Sequence, residues 1–224
     1  MVSLSDRRLR TLLALVAASA FCCALDVARA AHVGAGFRFL VWNLFLAWIP
    51  LGLALAVYDG QRRGRSPAAL AVLSGLWLLF FPNAPYIVTD LFHLHRNLAA
   101  PLWFDTILFA SFAWTGLLVG FVSLYLMQAA ARRVVGGLAS WALVLSALAL
   151  GSFGIYLGRF ERWNSWDLFT RPTQILGDLW RHAGDPAAHP RTIAATVIFT
   201  GFLTLSYLVL YSFVGLARDE RAPR

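Results

Sequence analysis

Six stretches of the chain, at about 9–28, 37–58, 68–88, 103–128, 134–158 and 192–216, are almost wholly apolar. A run of about 20 apolar residues is what an α-helix needs to cross roughly 30 Å of hydrocarbon, and no other feature of the chain limits its folds so severely. Inside lipid the backbone must pair its own N–H and C=O groups, which a helix does within each segment. The expected fold is therefore all-α, one integral membrane domain over residues 1–224 built as a multi-pass bundle of about six spans. Composition agrees, with 59% of residues hydrophobic and 13% charged, against about half and about a quarter in globular chains.

All 19 basic residues are arginine and the formal charge is +8. The arginines lie in short segments between apolar runs, which is how membrane topology is encoded, so no nucleic-acid partner is expected. With the N-terminus inside, eleven arginines fall on the inner side and eight on the outer. That excess predicts an N-in, C-in chain. All five histidines and seven of the eleven acids then face outward. The first run has a rival reading: Arg7, Arg8 and Arg10 precede it and Ala28-Arg29-Ala30 follows, as in a cleavable signal peptide. With five further spans downstream, a retained helix is the expectation. Cys22 and Cys23 are adjacent, rarely a bridging geometry, and read as small packing residues.

The third run ends in "FFPNAPYIVTDLFHLHRN", residues 80–97. From Pro67 to Phe81 a helix would be only about 21 Å long, short of a crossing. Pro82 and Pro85 then remove donors and crowd the carbonyls of Leu78 and Phe81, and each disfavours helical geometry in the residue before it. A broken third helix follows, in one of two forms. One is a proline kink with Asn83 capping the loosened carbonyls; the other is an unwound or re-entrant segment shaping a pocket open to the outside. Thr89 or Asp90 could cap a short helix beyond it. Asp90 and His93 share a face if that segment is helical, and His93 and His95 if it is extended. Asp90, His93 and His95 are thus a weak metal set, since protein sites use three or four ligands of fixed geometry.

A second polar cluster closes the fifth run in "GSFGIYLGRFERWNSWDLFTRP", residues 151–172. Arg159, Arg162, Asn164 and Asp167 surround Glu161, with Trp163, Trp166 and Phe169 interleaved as in an interfacial belt. From Pro172 to about residue 182, Ile175, Leu176, Leu179 and Trp180 make one apolar face, predicting a short amphipathic helix on the outer surface. Asn43, about 8 Å of helix inside Arg38, and Asp105, beside Trp103 and Phe104, are expected at similar depth. Asn43, Asn83, Asp90, Asp105, Arg159 and Glu161 would then converge from four spans. In such a site Asp90, His93, Asp105 and Glu161 are the candidate acid–base groups. Asn43, Asn83, Arg159, Arg162, Asn164 and Asp167 are the candidate ligand contacts, arginine's fork suiting a phosphate or carboxylate. Gly116 with Gly120, and Gly154 with Gly158, form GxxxG pairs that let helices approach closely, within the chain or in a homo-oligomer.

"LWLLFFPNAPYIVTDLFHL" and "LGRFERWNSWDL" resemble the two signature blocks of a bacterial multi-pass membrane family known as domain of unknown function 1361. The resemblance covers about Phe39 to Tyr211. It implies a bacterial cytoplasmic (inner) membrane location and no activity, so it assigns no residue a role and names no cofactor. Three functions stay open. In the first, the cluster binds or processes an anionic, lipid-associated ligand at the headgroup level. A transporter or channel would want midplane charge and repeated halves, and only hydroxyls such as Ser74, Thr115 and Ser146 occur at the span centres. A non-catalytic assembly or sensing component needs only the tryptophan-rich surface.

Overall fold

In a computed structural model, residues 4–94, 100–163, 166–174, 177, 180 and 190–219 are described. The helices are α1 (Leu4–Val33), α2 (Arg38–Arg62), α3 (Pro67–Phe80), α4 (Asn83–Tyr86), α5 (Leu102–Phe160), α6 (Asp167–Thr170) and α7 (Pro190–Asp219), with a 3-10 segment at Ile87–His93. No strand occurs among the described residues. Five helical stretches are long and apolar enough to cross a membrane, one of them combining α3, α4 and the 3-10 segment.

The expected fourth and fifth spans are not separated by a loop. They form one 59-residue helical run, α5, that passes straight through Arg132 and Arg133. A straight helix of that length would reach about 88 Å, nearly three times the hydrocarbon thickness. The run is broken instead at one residue, Gly136, whose φ of 82° and ψ of 178° are open only to glycine. Two limbs result, and they run antiparallel. Along residues 81–87 the second limb advances, with Gly151 beside Phe81, Gly154 beside Pro82 and Gly158 beside Tyr86. The first limb retreats, with Gly120 beside Ala84 and Gly116 beside Ile87. The bundle thus has a Gly136 end and, opposite, an Asp90 end.

These glycine contacts also settle what the GxxxG pairs do. A Cβ at Gly154 would stand 2.7 Å from Pro82 Cγ, and one at Gly116 would stand 2.9 Å from the Ala84 carbonyl oxygen. The broken third helix fills both glycine faces, so these faces are occupied within the chain and are not open to a second copy. Apolar packing around them joins Phe81, Leu117, Phe121, Leu148 and Ile155 with Leu203 and Tyr207 of α7. Tyr207 donates to Gln128 at 2.6 Å, tying α7 to the first limb.

The break itself is tighter than expected. Phe81 and Ala84, each before a proline, keep right-handed helical geometry, Phe81 at φ −54° and ψ −39°. Shortened hydrogen bonds absorb the prolines: Ala84 N–H donates to Phe81 O at 3.2 Å, three residues back, before Tyr86 N–H reaches Pro82 O at 3.0 Å. Asn83 donates to Phe80 O at 2.9 Å, the capping role foreseen for it. Ala84, Pro85 and Ile87 are buried, and the void beside Phe81 and Pro85 is too narrow for water. Along Phe81–Ile87 the chain adopts the kinked form, closely packed.

Candidate functional site

Asp90 sits in the 3-10 segment and is 1% exposed. No cap by Thr89 or Asp90 starts that segment; Thr89 Oγ1 donates back to Tyr86 O at 2.7 Å. Three residues per turn set i and i+3 directly above one another, which brings His93 over Asp90. His93 Nδ1 lies 3.3 Å from the Asp90 carbonyl oxygen. The expected shared face therefore exists, by a tighter helix than anticipated.

Around Asp90 the convergence is partial. Asn43 of α2 donates to Oδ2 at 2.8 Å, and Arg159, near the end of α5, donates to Oδ1 at 3.3 Å. Arg159 also donates to Thr89 O at 2.5 Å and to Tyr86 Oη at 3.4 Å, and stands 3.0 Å from His93 Nδ1. A guanidinium only donates and a carbonyl only accepts, so His93 Nδ1 can hydrogen-bond to Arg159 or to Asp90 O but not to both in one tautomer. Phe92 and Tyr86 present their rings to the Arg159 guanidinium at 5.5 and 5.8 Å. Asp90 and Arg159 are 2% and 13% exposed at the side chain, so the pair is buried but reaches the surface through the arginine.

Other expected members lie elsewhere. Asn83 donates to Phe80 O as a cap. Glu161 and Arg162 are exposed at the end of α5, where Arg162 takes a left-handed φ of 60° and Trp163 N–H returns to Leu157 O at 3.1 Å. Asp167 is buried but held locally, by Arg171 at 3.0 Å and Thr170 at 3.3 Å. His95, Asn164 and the apolar face formed by Ile175, Leu176 and Leu179 lie outside the described residues. Among the described residues, no three His, Cys, Asp or Glu side chains gather into a metal-sized group, and both Asp90 oxygens face nitrogen donors.

Asp105 is the clearest departure. It belongs to a different centre, one the sequence did not announce. Arg29 Nε and Nη2 grip its two oxygens at 2.7 and 3.0 Å, while Nη1 donates to Ala35 O at 2.5 Å. The guanidinium lies 4.0 Å over the ring of Phe37, and the side chains are 0% and 3% exposed. Arg29, the middle residue of the Ala-Arg-Ala triplet, is thus inside α1 and fastens it to α5. A signal was available: Cys22, Asp26 and Arg29 recur at i, i+4 and i+7, a single helical face, and all three are buried. Cys22 meets Thr115 at 3.4 Å, and Asp26 accepts from Phe37 N–H at 2.6 Å to hold the start of α2.

The chain belongs to the family described as protein of unknown function DUF1361, whose sequence profile matches residues 42–206. That range holds Asn43, Asp90, His93 and Arg159 and does not reach Arg29. No curated protein and no solved structure matches the chain.

Proposed function

We propose, taking membership of that family as the premise, that this multi-pass membrane protein binds an anionic, lipid-associated ligand at its Asp90 end. The observation that carries the reading is the Arg159 network. Three chain segments bring a buried carboxylate, a guanidinium, an amide and an imidazole together just beneath the surface. Intramembrane ionisable groups facing the bundle interior are costly and mark functional sites by default. In this reading His93 and the exposed Arg162, three residues beyond Arg159 along the chain, would meet a headgroup, while Asp90 and Asn43 hold Arg159 in position. The reading places the protein in a bacterial inner membrane with both termini inside and the Asp90 end outward.

The test is a photoactivatable phosphatidic acid analogue added to the purified protein, with the crosslinked peptides mapped. Label at Tyr86–Leu94 or Arg159–Trp163, reduced at least tenfold by His93→Ala with Arg162→Ala, supports the reading. Label spread evenly over the lipid-facing helices in both proteins rules it out.

A second reading rests on its own observation. Arg159 already has protein partners on both terminal nitrogens, as a helix clasp requires. A non-catalytic assembly component, with the tryptophans near residue 163 meeting a partner, fits that saturation.

A further inference from the structure

A roomy cavity lies away from these charges. It lies toward the Gly136 end, between α2, α3 and the two limbs of α5, and has a volume of about 460 Å³. Ligand pockets run from about 300 to 1,000 Å³. Its walls are almost wholly apolar, with Leu70, Ser74 and Leu78 of α3 facing Leu143, Ser146 and Leu150 of the second limb. Leu143, Ser146 and Leu150 are exposed, so the cavity opens sideways between the helices, toward lipid. Along the second limb its lining runs from Ser140 to Leu150, roughly 15 Å at 1.5 Å per residue. That is about half of the roughly 30 Å hydrocarbon core, the depth of one leaflet.

No arginine lines the cavity itself, but four stand next to its lining residues along the chain. Arg132 and Arg133 fall between the lining residues Ala131 and Val134, and Arg62 follows the lining residue Gln61. Arg65 packs its stem on Gly60 next to Leu70, another lining residue. Arg132 lies over the bend, its Nε 3.8 Å from where Gly137 would carry a Cβ. Arg133 is anchored by Tyr58 Oη at 2.9 Å and by the Tyr58 ring, 4.5 Å from its guanidinium carbon. Among the described residues none of Arg62, Arg65, Arg132 and Arg133 is in a salt bridge; the nearby Asp59 is taken by Arg8 at 2.7 Å.

We propose that this cavity holds one acyl chain of an anionic phospholipid from the leaflet at the Gly136 end, with its phosphate on the arginines at the mouth. An apolar slot one leaflet deep, open to lipid and flanked by guanidinium groups that are in no salt bridge among the described residues, is complementary to that molecule and to its position in the bilayer. Zwitterionic lipids would fill the slot with less gain at the rim. The inference is independent of the Asp90 cluster, because the two sites lie at opposite ends.

Native mass spectrometry of the purified full chain is the test, with phosphatidylglycerol, phosphatidylcholine of the same acyl chains and free palmitate offered in turn. One retained phosphatidylglycerol, favoured at least fivefold over phosphatidylcholine, is expected. Ser146→Phe, placed on an exposed wall, should remove retention of every lipid at this site. Ala131→Phe offers a second block should that variant accumulate poorly. Arg65→Gln with Arg132→Gln should bring phosphatidylglycerol down to the phosphatidylcholine level and leave the apolar slot intact. Equal retention of the two phospholipids by the unaltered protein overturns the proposal, as does retention unmoved by both blocking variants. Palmitate in place of a phospholipid overturns it too, since the occupant would then be a free fatty acid.

Discussion

Two buried arginine–aspartate pairs lie at the Asp90 end, and they are built differently. Arg29 spends Nε and Nη2 on a single carboxylate, at 2.7 and 3.0 Å, and is 0% exposed at the side chain. Arg159 spreads its donors over Asp90, Thr89, Tyr86 and His93, its bond to the carboxylate is 3.3 Å, and it is 13% exposed. The first has the fork geometry of a closed fastening between α1 and α5. The second is looser, multiply shared and in reach of the surface, as an arginine must be if its surroundings are to respond to something outside. A third pair, Arg8 with Asp59, is 37% and 31% exposed and serves as the solvent-side reference. Burial alone does not separate the first two; the distribution of donors does.

The comparison breaks most directly at Arg29. Arg29→Ala leaves the Asp105 carboxylate buried and unpaired, which costs about 3–5 kcal/mol. The folded yield in detergent should collapse, and Arg29→Met with Asp105→Leu should recover most of it. Recovery by the double variant marks the pair as a fastening; failure would give the charges a further role. Next comes Gly154→Leu, which drives a side chain into Pro82 and should cost about 1–3 kcal/mol by overpacking. Its thermal midpoint should fall while a Gly52→Leu control, where nothing stands within 4 Å of an added Cβ, stays near the parent value.

Arg159→Lys keeps the charge and loses the fork. A hydrogen bond to a charged group contributes about 1.5–3 kcal/mol, so a midpoint shift smaller than that of Arg29→Ala is expected, together with loss of the headgroup crosslink. Loss of the crosslink without collapse separates the two pairs; collapse as complete as that of Arg29→Ala would make them equivalent. Arg8→Ala should be the mildest change, about 0–1 kcal/mol, as for exposed pairs in general. A midpoint more than a few degrees below the parent would show that this end of the bundle is drier than its exposure indicates.

The apolar runs made the all-helical architecture legible, because length and hydropathy act locally on each segment. The two prolines made the break legible, and Asn83 caps a carbonyl as foreseen. Its tightness was not, because the geometry of Phe81 and Ala84 is decided by Gly116, Gly120, Gly151 and Gly154, which lie far along the chain and pull the segment close. Asn43 and Arg159 were recognisable as partners of Asp90 by depth alone. Asp105 was grouped with Asp90 for the same reason, whereas it pairs with Arg29: depth orders residues along the membrane normal but does not say which of them pair. Arg29 was missed because counting apolar residues stops the first span at about 28, whereas α1 runs on to Val33.

The bend at Gly136 also bears on how the molecule can be altered. With a single non-helical residue between the limbs, there is no slack chain between them. In the finished fold the two limbs are coupled as a tight hairpin, with Arg132 and Arg133 in the last helical turn before the bend. For the same reason the bend is a poor place for an epitope or a protease site, since added residues would separate the two walls that meet the broken third helix.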